Sequence, residues 1–205
     1  MDWYTKYVLP PLIDLVMHSG DASRLRVAWV PQARGQVLEV GIGPGLNLPH
    51  YSAQVERVYG VDPSPWLLHM ARKRARECKA PVELFQQTAE TPLPLDDASM
   101  DTVVMTWTLC SIPDAARALR QMRRVLRRDG QLLFVEHGRA PDLEVVRWQQ
   151  RLTPAWKKAS GGCHMDRKVD SLITAAGFQI TELHAGYRPG PRLLTYTYQG
   201  RARPL

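Results

Sequence analysis

Short apolar runs alternate along this chain with longer segments in which apolar residues recur at helical spacing. Seven runs predict β-strands, at residues 37–40, 58–61, 82–85, 101–105, 131–135, 178–184 and 193–198. Because strands alternate with helical segments, the pattern predicts an α/β fold with a doubly wound, mostly parallel sheet. The last two runs flank the turn sequence Arg188-Pro189-Gly190-Pro191 and predict a final antiparallel hairpin.

Helical periodicity predicts four helices within and after this sheet. They span residues 65–77, 114–127, 143–152 and 167–176, with Thr153-Pro154 expected to interrupt the third helix and Gly177 to end the fourth. Residues 1–30 are also amphipathic, and Pro10 and Pro11 divide them into two helical pieces. We expect this segment either to cover a ligand as a lid or to pack on the sheet.

Gly41, Gly43 and Gly45 occupy alternate positions directly after the first predicted strand. Glycines at such a place let the backbone turn tightly and approach a ligand with no Cβ in the way. A dinucleotide fingerprint would place its third glycine at position 46, and it would present amides to an anionic pyrophosphate. Here position 46 is Leu46, and the acid Glu39 just before the glycines would repel a pyrophosphate.

Two acids favour S-adenosylmethionine (SAM) as the cofactor. Glu39 suits a ligand with an ammonium and a sulfonium group, which SAM carries. Asp62 follows the second strand, where its carboxylate can accept hydrogen bonds from both ribose hydroxyls. The sequence therefore predicts a SAM site, with S-adenosylhomocysteine (SAH) as the product, and a helix after the glycines that carries Asn47 near the methionine end. Further predicted contacts with SAM come from Pro63, Ala89, Glu90, Thr106 and Trp107.

The loop after the third strand offers the backbone at Ala89 and the carboxylate of Glu90 to the adenine. For Glu90 a role at the start of a helix stays open as the alternative. A length of 205 residues predicts one domain. It consists of an N-terminal helical lid at 1–30, a SAM-binding core at 31–140, and substrate-side helices and C-terminal strands at 141–205.

The net charge of +7 raises the question of acidic partners. Much of the excess lies on two predicted helices, as Arg72, Lys73, Arg74 and Arg76, and as Arg117, Arg120, Arg123, Arg124, Arg127 and Arg128. We interpret both sets as solvated faces, because no aromatic residues that could stack on bases are interleaved with them. We expect a small-molecule substrate, no nucleic-acid partner, a monomer or homodimer, and at most a weak attraction to an anionic membrane.

The three cysteines, Cys78, Cys110 and Cys163, form no CxxC pair, which predicts neither a disulfide framework nor a structural zinc site. Cys163 and His164 are adjacent, but two ligands without partners do not make a site, so no metal is predicted. No apolar stretch reaches the roughly 20 residues that span a bilayer, and the start does not resemble a cleaved signal. We therefore expect a reducing, cytoplasmic environment.

Residues 37–136 resemble a class I SAM-dependent methyltransferase throughout, in LEVGIGPG, GVDPSP, AETPLPLDDASMDTVV and RRVLRRDGQLLFVEH. TWTLCSI at 106–112, VEHG at 135–138 and WQQRLTPAW...GGCHMDR at 148–167 are similar to the methyltransferase-like alkyl thiol S-methyltransferases. The resemblance implies a Rossmann-like fold and methyl transfer from SAM to a small acceptor, above all a thiol or sulfide. Thr88 stands where many related enzymes have an acid that holds the adenine, which leaves that contact to Glu90 or the backbone.

A thiol reacts as its thiolate, so a base or a positive field near the acceptor would help. His137, directly after the fifth strand, is the first candidate for this base, and His164 is the second. Each could instead be a structural histidine. The candidate substrate contacts are aromatic or sulfur-bearing side chains that could exclude water from the sulfonium: Tyr4, Tyr7, Cys110, Trp148, Trp156 and Cys163.

Several other functions stay open at this level. The cofactor motifs also admit O-, N- or C-methylation of a phenol, quinone, amine or phospholipid headgroup. The chain could bind SAM without catalysis, or bind NAD. A nucleic-acid amino-methyltransferase is disfavoured, because Thr106-Trp107-Thr108-Leu109 replaces the Asn-Pro-Pro-Tyr type signature that such enzymes place after the fourth strand.

Overall fold

A seven-stranded sheet forms the centre of the protein. The computed structural model describes residues 8–18 and 20–205. The strands are β1 Gly35–Val40, β2 Val55–Asp62, β3 Val82–Gln86, β4 Met100–Thr106, β5 Leu126–His137, β6 Phe178–Tyr187 and β7 Tyr196–Pro204. Their order in the sheet is β3-β2-β1-β4-β5-β7-β6. The first five strands pair in parallel, and β7 pairs antiparallel with both β5 and β6, which confirms the predicted fold class.

Helices cover both faces of this sheet. They are α1 Leu9–Met17, α2 Gly20–Trp29, α3 Pro65–Arg74, α4 Ala115–Val125, α5 Leu143–Ala159, α6 Val169–Ala175 and α7 Arg192–Thr195. Successive side chains of a strand point to opposite faces. Val37 therefore joins one core with α2 and α3, whereas Leu38 joins a second core with α4 and α6. None of the helices within the described residues is long and apolar enough to cross a bilayer.

The prediction of an α-helix after the glycine turn was wrong. Residues 44–47 form turns, and only a 3₁₀ segment at Leu48–His50 follows. Pro49 explains the difference, because a proline at that place would remove a hydrogen bond from the interior of an α-helix that began at the glycines. Asn47 therefore lies in a turn rather than on a helix.

Two predictions in the C-terminal half were also wrong. The helix α5 is not interrupted at Pro154, and a hydrogen bond of 2.7 Å from Thr153 Oγ1 to the carbonyl of Gln149 supports the turn before the proline. The last strand begins only at Tyr196, because residues 192–195 form α7. The buried amide of Gln149 donates to the carbonyl of Leu193 at 3.0 Å, and this contact holds that segment out of the sheet.

The carboxyl ends of the central parallel strands meet at one edge of the sheet. The register pairs Val40 with both Val61 and Met105, and it pairs Thr106 with Val135. The residues that directly follow these positions are therefore spatial neighbours, and in an open α/β sheet ligands bind at this edge. Gly41, Asp62 and Thr106, which follow or end three of these strands, are brought together in this way.

Candidate active site

A cleft of about 780 Å³ opens at the carboxyl edge of the sheet. Most of the predicted site residues line it: Glu39, Gly41, Gly43, Asn47, Asp62, Pro63, Ala89, Glu90, Thr106, Trp107, Cys110, His137, Trp156 and Cys163. Gly45, Trp148 and His164 are not among the lining residues. Tyr4 and Tyr7 lie outside the described residues.

The turn after β1 depends on Gly41 and Gly45, whose φ angles are +65° and +83°. A Cβ at Gly41 would lie 2.2 Å from Cγ2 of Thr108, so the loop after β4 can fold against the turn only because this atom is absent. A Cβ at Gly45 would lie 3.0 Å from the Cα of Ala71 on α3. The turn is thus held between the β4 loop and α3, and its backbone borders the cleft.

Asp62 ends β2 with its carboxylate facing this turn. Its Oδ2 accepts a hydrogen bond of 3.1 Å from the N–H of Gly43, and its Oδ1 accepts one of 2.8 Å from the N–H of Ser64. Burial raises the pKa of Asp62 to about 6, although both hydrogen bonds favour the charged form. Each oxygen of the ionised carboxylate keeps a lone pair with which it can accept a ligand hydroxyl.

Glu39 lies in a polar network at the end of β1. Its Oε1 accepts a hydrogen bond of 2.9 Å from Asn47 Nδ2, and its Oε2 accepts one of 2.7 Å from the Tyr51 hydroxyl. Asn47 Nδ2 also donates to Thr106 Oγ1 at 3.0 Å. Burial raises the pKa of Glu39 to about 7. Both carboxyl oxygens have partners within the protein, so Glu39 positions Asn47 and the end of β4.

Arg26 joins this network from α2 and was not predicted. It is 5% exposed, and its Nε donates to Asn47 Oδ1 at 3.1 Å while its Nη1 donates to the carbonyl of Met17 at 2.6 Å. Burial lowers the pKa of Arg26 to about 10, which leaves the guanidinium charged at neutral pH. No sequence signal distinguishes Arg26, because an arginine in an amphipathic helix normally lies in solvent.

Glu90 supports the start of α4, shortly after Pro113, which lines the cleft. Its Oε1 accepts a hydrogen bond of 2.6 Å from the N–H of Asp114, and its Oε2 accepts one of 2.9 Å from the Thr88 hydroxyl. Asp114 in turn caps α4 by accepting from the N–H of Arg117 at 2.9 Å. Glu90 therefore has the helix-supporting contact that was the alternative interpretation, and together with Ala89 it also lines the cleft.

A buried acid fixes the loop after β4. Glu136 Oε1 accepts hydrogen bonds from the N–H groups of Thr108 and Leu109, at 2.6 and 2.9 Å. Trp107 adopts a φ of +50°, which is uncommon for a residue with a Cβ, and its N–H donates to the carbonyl of Val135 at 2.8 Å. Burial raises the pKa of Glu136 to about 7. These contacts hold the residues that lead to Cys110 in one conformation.

Cys110, His137 and Cys163 converge at the cleft from three separate segments. Their sulfur and ring-nitrogen atoms all lie within 4.8 Å of one another, and His137 Nε2 is 2.9 Å from Cys163 Sγ. A hydrogen bond with Cys110 and burial raise the pKa of Cys163 far above its usual range, so it is a neutral thiol at neutral pH. Burial lowers the pKa of His137, but its contact with Cys163 and the charge of Glu136 outweigh this effect, and the net shift is upward.

Backbone contacts hold the loops of this cluster together. The N–H of His164 donates to the carbonyl of Cys110 at 2.8 Å. The Arg167 guanidinium donates to the carbonyl oxygens of Leu109 and Ile112, the latter at 2.6 Å. None of these contacts uses a thiol. This cluster was not predicted, because no spacing rule relates the three segments and only His164 lies beside Cys163 in the sequence.

Trp156 lines the cleft from α5, and its indole Nε1 is buried with no hydrogen-bond partner among the described residues. Trp148 on the same helix is 47% exposed, because Val146, Gln149 and Thr153 form the buried face of α5. His164 lies outside the cleft, with its Nδ1 3.8 Å from Asp166 Oδ1. The structure therefore does not bring Trp148 and His164 to the predicted substrate site.

Comparison with known proteins identifies the family. The family described as a methyltransferase domain matches residues 38–134. Thiol S-methyltransferase TMT1B of Homo sapiens is 34% identical over 201 residues, a match that covers 92% of this chain and 78% of that protein. This chain belongs to the SAM-dependent methyltransferases. TMT1B of Rattus norvegicus is also 34% identical, over 158 residues, and the match spans 76% of this methyltransferase and 64% of the rat protein.

Other matches are named for different activities or show the fold alone. Phosphatidylethanolamine N-methyltransferase of Cereibacter sphaeroides is 38% identical over 119 residues, which cover 57% of this methyltransferase and 58% of that protein. The structure of the YcgJ protein from Bacillus subtilis matches with a TM-score of 0.66 and 17% identity, over 90% of this chain and 96% of that one. The trans-methyltransferase CalH, solved with SAH, matches with a TM-score of 0.65 and 19% identity, over 96% of this chain and 59% of CalH.

The residues of the cleft fit the cofactor of this methyltransferase. Asp62 offers carboxylate oxygens that suit ribose hydroxyls, and the glycine turn lets a ligand approach the backbone. Ala89 and Glu90 line the part of the cleft that follows β3, where they would meet the adenine. The Asn47 network holds the end of β4 beside the turn. Cys110, His137 and Cys163 line another part of the same cleft.

Proposed function

We propose that this methyltransferase acts on the sulfur of a small thiol or of hydrosulfide. When bound, SAM supplies a methyl group on a positively charged sulfur. The acceptor takes this methyl group, and SAH remains as the product. The observation that carries the proposal is the match with human TMT1B. Because that match covers 92% of this chain, it runs through all of residues 106–167, which supply Cys110, His137, Trp156 and Cys163 to the cleft.

The chemistry of the acceptor side supports a sulfur nucleophile. A free thiol has a pKa of about 8.5 and is only partly ionised at neutral pH, so the site must stabilise the thiolate. His137 borders the cleft at the end of β5, and the charged Arg167 lies near both thiols of the cluster. In this proposal His137 lies where it can assist loss of the acceptor proton, as a base or as the ligand of a group that stabilises the thiolate. The protein's own cysteines are not required as nucleophiles, because the acceptor reacts directly.

The N-terminal segment contributes a cover in this proposal. Pro10, Leu12 and Met17 of α1 line the cleft. Asp14 on the same helix pairs with Arg74 at 2.9 Å, and Arg74 also donates to the carbonyl of Pro44 in the glycine turn at 2.8 Å. We therefore assign α1 the role of a lid that limits the access of water to the sulfonium.

The test is an acceptor screen with purified protein and SAM labelled in the methyl group. The panel contains hydrosulfide, alkyl and aryl thiols, a phenol, a quinol, an amine and vesicles of phosphatidylethanolamine. We expect labelled thioethers from the thiols, and products from the other acceptors at less than a tenth of that rate. Labelled lipid or phenol ether without thioether would overturn the choice of acceptor.

A second measurement separates catalysis from binding alone. Calorimetric titration with SAM, SAH and NAD is expected to give micromolar or tighter binding of the first two and none of NAD. Tight binding of SAM without a product from any acceptor would instead favour a SAM-binding module. Binding of NAD would contradict the cofactor assignment itself.

A further inference from the structure

We propose that Cys110, His137 and Cys163 bind a zinc ion whose fourth coordination position faces the cleft. These three side chains are the group of potential metal ligands that the described residues bring together, with all ligand atoms within 4.8 Å of one another. All three line the cleft. Two thiolates and one imidazole suit zinc, and three protein ligands with one open position are the arrangement of a catalytic zinc site.

The distances suit a tetrahedral ion. Zinc bonds of about 2.3 Å to sulfur and about 2.0 Å to nitrogen place tetrahedral ligand atoms about 3.5 to 3.8 Å apart. The three ligand atoms are separated by at most 4.8 Å, and His137 Nε2 is 2.9 Å from Cys163 Sγ. Side-chain movements of about 1 Å therefore bring the three atoms to coordinating geometry, without a change of the backbone.

The charge balance suits a buried ion. Cys110 and Cys163 are 4% and 8% exposed, and an isolated thiolate at such a place would be costly. A Zn²⁺ ion with two thiolates and one neutral imidazole has no net charge. Besides its hydrogen bond with Cys163, Cys110 Sγ has long contacts of 3.7 Å to the Trp107 carbonyl and 3.5 Å to Ser111 Oγ, so coordination would replace weak interactions.

The positions of the ligands are set by the fold rather than by the ion. Cys110 lies in the loop that Glu136 fixes, His137 ends β5, and Cys163 follows α5. The loops of the two cysteines are joined by the His164–Cys110 backbone hydrogen bond and by Arg167. Each ligand also comes from a different one of the three segments that resemble thiol methyltransferases. The protein therefore folds before it binds zinc, and variants of the ligands are expected to stay folded.

The open position gives the ion a role, and this part rests on the proposed function. An acceptor thiol that binds there releases its proton to solvent and stays a thiolate at neutral pH, because coordination to zinc deprotonates thiols. His137 then acts as a metal ligand rather than as the general base. The chemical class of the acceptor is thereby narrowed to thiols and hydrosulfide, which bind zinc far better than phenols or amines.

The first experiment measures zinc without reference to activity. The full chain is reduced, stripped with a chelator and titrated with Zn²⁺ against a chromophoric chelator, and with Co²⁺ by absorption spectroscopy. We expect one ion per chain, with intense tetrahedral d–d bands and a thiolate-to-cobalt charge-transfer band in the near ultraviolet. Less than a tenth of an ion per chain in the reduced protein would overturn the proposal. The same holds if a Cys110–Cys163 disulfide is found before reduction and the reduced protein then binds no zinc.

Variants locate the ion. Cys110→Ser, Cys163→Ser and His137→Asn are each expected to weaken zinc binding at least tenfold, and the two serine variants to reduce the charge-transfer intensity. Cys78→Ser is the matched control, because Cys78 is a free cysteine that does not line the cleft. SAH binding and circular dichroism confirm that each variant is folded. Equal zinc binding by all four variants would place the ion elsewhere.

A final measurement separates this proposal from the proposed function. Ethanethiol is added to the Co²⁺ protein in the presence of SAH, and we expect the charge-transfer band to grow as a third sulfur binds. An unchanged spectrum with one bound cobalt would overturn the role of the open position. Thiol methylation at full rate by the stripped protein would overturn the metal while leaving the proposed function intact. Stoichiometric zinc binding with no thiol methylation would overturn the proposed function while leaving the zinc site intact.

Discussion

The guanidinium of Arg26 lies over the ring of Trp107, with 4.8 Å between Arg26 Cζ and the ring centroid. Arg26 belongs to α2 and Trp107 to the loop after β4, so the contact joins the N-terminal segment to the loop that carries Cys110. A buried cation–π contact of this kind contributes about 2 kcal/mol. The same guanidinium donates to Asn47, so one side chain connects the glycine turn, the β4 loop and the N-terminal helices.

Replacement of Arg26 by methionine tests this connection. Arg26→Met removes the donors to Asn47 Oδ1 and the Met17 carbonyl and the charge over Trp107, while it keeps much of the apolar volume. We expect about a tenfold loss of SAH affinity by calorimetry and a destabilisation of about 2 kcal/mol by thermal unfolding. Arg24→Met is the matched control on the exposed face of the same helix. Equal affinities of the two variants would contradict the role of Arg26.

Gly41 is expected to tolerate no side chain. Gly41→Ala places a Cβ 2.2 Å from Thr108 Cγ2 at a φ of +65°, so either the turn or the β4 loop must move. We expect a destabilisation of about 2 kcal/mol and at least a tenfold loss of SAH affinity. Gly20→Ala is the control, since nothing lies within 4 Å of a Cβ there, and its stability should change by less than about 0.5 kcal/mol. Normal SAH binding by Gly41→Ala would show that the turn does not border the cofactor.

Asp62 is expected to be essential for the cofactor. Asp62→Ala removes the carboxylate that would accept the ribose hydroxyls, and we expect at least a hundredfold loss of SAM affinity. The same variant loses the hydrogen bond from Gly43, so Asp62→Asn is measured beside it. The asparagine keeps one acceptor oxygen and should lose less affinity. Asp129→Ala changes an exposed acid and serves as the control. Tight SAM binding by Asp62→Ala would mean that the ribose contact is assigned wrongly.

The fold could be predicted from the sequence because its strands are short apolar runs between helical segments. Local patterns of this kind correspond directly to the elements of the folded structure. The position of several cleft residues could be predicted for a related reason, since Gly41 follows β1, and Asp62 and Thr106 end β2 and β4, parallel strands whose carboxyl ends must meet. The predicted helix after Gly45 does not form, because Pro49 would remove a hydrogen bond from its interior. The predicted break at Pro154 failed because the contacts of Thr153 and Gln149 compensate for the proline.

The cluster of Cys110, His137 and Cys163 and the buried Arg26 could not be predicted in the same way. Cys110, His137 and Cys163 meet only after α5 has returned the chain to the sheet edge, so their proximity is a tertiary property with no local spacing. Arg26 is buried because the glycine turn and the β4 loop close over α2, and periodicity alone assigns an arginine to solvent. Residues that act through such long-range contacts can be identified only in the folded structure.

Glu39 is expected to make the stability of the protein depend on pH. Burial raises the pKa of Glu39 from 4.5 to about 7, so the folded protein holds this proton more tightly than the unfolded chain. The stabilisation is complete below the unfolded pKa and is lost as the pH rises through 7, a change on the order of 3 kcal/mol. Glu39→Gln does not titrate, so we expect its stability relative to the wild type to increase by roughly 2 to 3 kcal/mol between pH 5 and pH 8 in urea unfolding. Glu56→Gln changes an exposed glutamate on β2 and should parallel the wild type. Parallel curves for Glu39→Gln as well would show that Glu39 is ionised throughout this range, with the charge of Arg26 outweighing its burial.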